Sequence, residues 1–178
     1  MAKRRRGFET LGDMVRSLGV VLGVVLVVVL ITIRTHGQAV RVVDYSSTLT
    51  EARRVAPFTV LAPERLAEEW KATSGDYSPA QVTGRTGVVL WHLGFVTPHD
   101  QYAGLEQTND TLRDVVQAQV VGAVPDGTST INGVTWQRWS NSGGRRAISV
   151  VLGKASVVIH GTADWAELEQ LAGALRAG

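Results

Sequence analysis

Hydrophobic and polar positions divide this chain into two very different parts. From Ser17 to Ile33 it runs through seventeen residues without a charge, nearly all Val, Leu, Ile or Gly. At about 1.5 Å per residue this run rises roughly 25 Å as a helix. With its flanks it approaches the ~30 Å of a hydrocarbon layer, so the pattern predicts a transmembrane helix over 15–34. Residues 1–14 read as a basic cytoplasmic leader and 35–47 as a linker. Residues 48–178 read as a separate domain outside the cytoplasm.

Within that domain the periodicity changes repeatedly. Thr48, with Glu51 three residues on, fits a capping box, and Pro57 ends the short helix it starts. "PFTVLAP" reads as a strand between prolines, and "ERLAEEWKATSGDYSP" as at most two helical turns and a loop. Val88–Val96 is apolar on both faces apart from His92 and Gly94, which predicts a central strand. "PHD" turns the chain and "QYAGLEQ" returns antiparallel to it. Leu112, Val115, Val116 and Val120 follow helical spacing behind a cap at Asn109 or Asp110. Asn132-Gly133 predicts a two-residue hairpin turn. Strands in "RRAISVVL" and "ASVVIH" follow, and a last helix capped by Thr162 carries Trp165, Leu168, Leu171, Ala172 and Leu175 on one stripe. The expected fold class is α+β: a transmembrane helix, then an antiparallel meander with helices packed on one face.

Charge refines the picture. Residues 1–34 hold six Lys/Arg against two Asp/Glu, a net +4; the remaining twelve basic and fourteen acidic residues give −2. The "KRRR" cluster therefore precedes the apolar run, and the positive-inside rule sets the amino terminus in the cytoplasm. A mildly acidic domain does not suit a phosphate backbone, so no nucleic-acid partner is expected. A signal-peptidase cut after Ala39, in "GQA", is the competing outcome. The apolar run exceeds the 7–15 residues usual for a cleaved signal, which favours retention. Gly19 and Gly23 stand one turn apart, the small-xxx-small spacing of a helix dimer within a bilayer. With no cysteine in the chain, thiol nucleophiles, disulfides and cysteine metal sites are excluded.

Chemistry-bearing residues are few. His92, His99, Asp100 and His160 form the one catalytic or metal constellation the domain offers, and no HxxxH spacing presents two ligands from one helix face. No G-x-S-x-G elbow occurs. Trp139 with Arg145 and Arg146, beside the "NSGG" turn, suits a peptide, glycan or lipid ligand. The candidate binding surface is thus His92, His99, Asp100, Trp139, Arg145 and Arg146, with no cofactor or metal assigned.

The order "VDY", "APFTVLAPERLAEEWKATS", "WHLGFVTP", "YAGLEQ", "NGVTW" and "GTADWAELEQLAGAL" resembles an actinobacterial family of single-pass membrane proteins, domain of unknown function 4245. The order of sheet and helices is also similar to PsbP-type extrinsic domains. The family resemblance implies a cell-envelope setting and carries over no catalytic residue. The expected function is a non-enzymatic binding or interaction module of the envelope. One alternative is an envelope hydrolase or metal-dependent enzyme using His92, His99 and Asp100. The other is a structural subunit dimerising through Gly19 and Gly23.

Overall fold

The structure, a computed structural model, describes residues 9–34 and 41–178. The chain divides into two compact units between Ala39 and Val40. The basic cluster at residues 3–6, the possible cleavage point after Ala39 and the first six linker residues lie outside the described residues.

The first unit contains α1 (Glu9–Arg34), with Gly19 and Gly23 in open space on its surface. Among the described residues no helix is long and apolar enough to cross a membrane. This corrects the transmembrane helix expected over 15–34.

The second unit consists mostly of antiparallel sheet. Its elements are α2 (Ser46–Val55), β1 (Leu61–Pro63), β2 (Lys71–Ser78), β3 (Leu90–Val96), β4 (Tyr102–Thr108), α3 (Leu112–Gln119), β5 (Val124–Ile131), β6 (Val134–Ser140), β7 (Arg146–Leu152), β8 (Ala155–Gly161), α4 (Trp165–Ala174) and β9 (Leu175–Ala177). Seven strands form one sheet in the order β2-β3-β4-β8-β7-β6-β5, while β1 and β9 pair as a separate ribbon. The large sheet is two meanders joined by the β4–β8 pairing. The Thr97–Gln101 and Asn132–Gly133 turns make two of its hairpins. At the second, Asn132 and Gly133 adopt φ of 50° and 78°, the left-handed conformation such a turn demands.

The expected packing of helices on one face is also corrected. Trp91, Leu93, Phe95, Leu105, Ile148, Val157 and Ile159 bury one sheet face beneath α4, α2 and the β1–β9 ribbon. On the other face Ala147 and Val158 pack against Val115 and Val116 of α3 and Val120 just after it. The reason lies in β8, where every residue is buried: Ala155, Val157 and Ile159 face one side and Val158 the other, so each side needs a cover.

Local chemistry sets the helix ends. The last helix is capped by Asp164, whose carboxylate accepts the Glu167 N–H at 2.9 Å, rather than by Thr162. Asp164→Ala is expected to cost about 1 kcal/mol, the usual worth of such a cap, read as a lowered urea midpoint with unchanged slope.

Candidate functional site

A polar cluster sits on the face that α3 only partly covers. Pairing brings together Trp139, Ala147, His160, Gly104, Gly94 and Ser74 in one row across six strands. The adjacent row runs Gln137, Ser149, Val158, Glu106, His92 and Asp76. Side chains two residues apart on a strand share a face, so both rows look the same way.

At the β2 end a β-bulge lies between Ala72 and Ser74. It lets Ala72 enter the apolar core while Ser74, two residues on, points to the opposite face. An extra residue in a strand commonly re-aims a side chain in this manner.

His92 links the rows. Its Nδ1 is 2.8 Å from Glu106 Oε1, and its Nε2 is 2.9 Å from Ser74 Oγ. The Glu106 side chain is only 5% exposed, and its Oε1 also lies 3.5 Å from His160 Nε2. The Tyr102 ring meets the His160 ring edge-on with centroids 6.0 Å apart. Gly94 and Gly104 form the floor. A Cβ on Gly104 would stand 2.7 Å from the Tyr102 hydroxyl and 2.9 Å from His160 Nε2, and one on Gly94 would collide with Ser74 Oγ. Only glycine leaves room for these polar groups.

Electrostatics couple Glu106 and His92. Burial opposes the carboxylate of Glu106, but its contacts with His160 and His92 outweigh that and lower its pKa. Burial likewise opposes the imidazolium of His92, while the Glu106 hydrogen bond and the charges of Glu106 and Asp76 raise its pKa overall. Burial and the Glu106 charge raise the Tyr102 pKa, against a smaller lowering by Arg145, so its hydroxyl remains a proton donor.

These shifts predict a pH profile. The His92 contribution to stability is complete below its unfolded pKa, about 6.5, and is lost as pH rises through the raised folded value. The Glu106 contribution is present above its unfolded pKa, about 4.3, and is lost as pH falls through the lowered folded value. Urea midpoints should therefore peak in mildly acidic solution. The decline toward alkaline pH should flatten in His92→Gln, and an identical decline in that variant would contradict the pairing.

The other expected site residues scatter. Trp139 lies in the Ser74 row, half-buried against the α3 cluster, with Nε1 donating to Ser149 Oγ at 2.7 Å. Arg145 precedes β7 near Tyr102, and its Nε is buried without a hydrogen-bond partner among the described residues. Arg146 belongs elsewhere: with Arg138 it lies over the Trp165 ring, and it donates to the Ala163 carbonyl.

His99 occupies the turn closed by Thr97 and Gln101, in which Asp100 takes a φ of 54°. The His99 ring meets Glu167 Oε1 at 3.0 Å, in a network separate from that of His92. His99, Asp164 and Glu167 bring ligand atoms within 4.8 Å of one another, a His and two carboxylates of the kind that can hold zinc.

Sequence reading alone misses Ser74, Glu106, Tyr102 and the glycine floor. Glu106 has a readable signal, since a hairpin centred on His99 sets it opposite His92. Ser74 has none, because its strand and its bulge are not visible in the pattern.

A seven-stranded antiparallel sheet with a recessed, paired ionisable cluster on one face defines the class. The chain belongs to the family described as Protein of unknown function (DUF4245), whose profile matches residues 6–175. A search of curated proteins finds no match.

Proposed function

We propose that residues 41–178 form a binding or interaction module whose ligand lies on the β2–β4 face, over Gly94 and Gly104. The observation that carries this reading is unmet hydrogen-bonding capacity. Glu106 Oε2, His160 Nδ1 and Arg145 Nε are buried without hydrogen-bond partners among the described residues, and His160 Nε2 has only its 3.5 Å contact with Glu106. Buried polar groups are nearly always satisfied, and a ligand reaching the glycine floor supplies what is missing. Beside the cluster, one pleat along the strands, lies a cleft of about 220 Å³ lined by Leu90, Thr108, Val115 and Ala118. A few polar groups beside an apolar cleft suit a small ligand of mixed character.

Thermal-shift screening of glycans, peptides and lipid headgroups against the full-length chain tests this. A stabilising ligand should lose its effect in Gly104→Ala, which fills the floor, and keep it in Arg146→Ala on the other side. A ligand indifferent to Gly104→Ala, or a panel without any hit, counts against the reading.

An envelope setting in an actinobacterium is part of the proposal. It is supported by the family resemblance and by the order of a basic cluster before an apolar run, as in an export signal. Protease added to intact spheroplasts should remove a tag fused after Gly178, and a protected tag would reject export.

A further inference from the structure

We propose that Ser74 is a nucleophile toward esters, with His92 as its general base and Glu106 as the carboxylate that orients the base. This rests on the β2–β4 face being the ligand site, and it names the ligand class as an acyl compound.

The three residues stand in the relationship that nucleophilic serine chemistry requires. A hydroxyl must meet one ring nitrogen of a histidine while the other ring nitrogen donates to a carboxylate. Here Ser74 Oγ meets Nε2 at 2.9 Å and Glu106 Oε1 meets Nδ1 at 2.8 Å, one partner on each ring nitrogen. The order is recognised by these roles and not by position along the chain.

Burial differs along the relay. Glu106 is enclosed, while His92, with 21% of its side chain exposed, and Ser74, on an edge strand, are both only partly buried. The orienting carboxylate is thus the least accessible member. The bulge ahead of Ser74 turns its side chain out of the core, and Gly94 opposite leaves the space its hydroxyl occupies. Two further hydroxyls, Thr73 Oγ1 and Tyr102 OH, each stand 3.3 Å from the point a Gly94 Cβ would take. They are donors in place for the negative charge that develops on an attacked carbonyl oxygen.

The reaction closes in two halves. Ser74 Oγ bonds to the ester carbonyl carbon as its proton passes to His92 Nε2. The tetrahedral intermediate then breaks its carbon–oxygen bond to the alcohol, which leaves with that proton. Water attacks the acyl-Ser74 carbonyl and gives a proton to His92. The carboxylic acid departs as Ser74 Oγ regains the proton. Ester and water are consumed, and acid and alcohol are released.

The experiment treats the untagged full-length protein with a fluorophosphonate and locates the adduct by peptide mass spectrometry, alongside p-nitrophenyl acetate turnover. A Ser74 adduct is expected. Both adduct and turnover should disappear in Ser74→Ala, whose half-exposed position tolerates the change. In His92→Gln the labelling rate should fall on the order of 10²–10⁴-fold, the usual worth of a general base. The wild-type labelling rate should rise with pH as the imidazolium deprotonates.

No adduct at Ser74 on folded protein overturns the proposal. So does an adduct whose rate ignores both His92→Gln and pH, since that marks only an accessible hydroxyl. A ligand that stabilises the wild type but not Gly104→Ala, without any adduct, leaves the binding face standing and removes the acyl chemistry. If neither appears, both fall.

Discussion

Trp91→Ala should destabilise the domain by about 3–5 kcal/mol, the range for removing a large aromatic from a packed core. Its side chain is fully buried on the sheet face beneath α4, and its Nε1 donates to the Leu61 carbonyl at 3.0 Å. Gln107, opposite it in register, holds the same segment by accepting from the Leu61 N–H and donating to the Thr59 carbonyl. Truncation therefore opens a cavity and also leaves the Leu61 carbonyl without its partner. Because small domains are stable by only about 5–15 kcal/mol, much of the total margin goes. Urea unfolding followed by circular dichroism measures it. Trp91→Phe keeps most of the volume but loses the donor, so it should cost about 1–3 kcal/mol. A loss below about 1 kcal/mol for the alanine variant would disprove this account of the core.

Gly161→Ala is expected to be at least as damaging. A Cβ at Gly161 would fall on the Tyr102 carbonyl oxygen, backbone against backbone, where no side-chain rotation gives relief. That oxygen also accepts the N–H groups of Thr162 and Ala163, so displacing it disturbs three residues of the β8–α4 connection. The Ala103–Gly161 pair lies at one end of the β4–β8 ladder, the single junction between the two meanders. Overpacking typically costs about 1–3 kcal/mol and more where, as here, backbone meets backbone. Hydrogen exchange should show β4 and β8 losing protection together. Gly173→Ala makes the contrasting case, since a Cβ there meets only Ile131 Cγ2, at an ordinary 3.7 Å. Alanine in that helix should stabilise by about 0.5–1 kcal/mol. Should both variants behave alike, the close approach at Gly161 is not as described.

How far the fold can be read from the chain depends on where each strand lies. The inner strands are legible: Val88–Val96 and "ASVVIH" carry long apolar runs because one face is fully covered and the other partly so. The Asn132–Gly133 turn is legible because few residues accept its left-handed backbone. The two edge strands are not. β2, "KATSGDYS", carries few apolar residues, and β5, "VPDGTSTI", contains a proline and a glycine. Each has solvent along one side, so neither shows a hydrophobic signature: "KATSGDYS" reads as the end of a helical turn and a loop, and of β5 only the end at the Asn132–Gly133 hairpin is marked.

Helix placement fails for a related reason. A stripe on a helix tells that it packs but not onto which face; Ala147 and Val158, which take α3, decide that only once β7 and β8 are paired. Among site residues His92 is conspicuous, whereas its partners arrive through pairing with strands fourteen and eighteen positions away. Residues brought together by register leave no local pattern to find.

The register irregularities deserve a final consequence. Both borders of the seven-stranded sheet carry one, between Ala72 and Ser74 and between Pro125 and Thr128. A stranger's strand that tried to extend the ladder from either side would lose step within a few residues, and at Pro125 it would find no N–H to grip. The same kink that aims Ser74 outward thereby discourages copies of this protein from templating one another into fibrils.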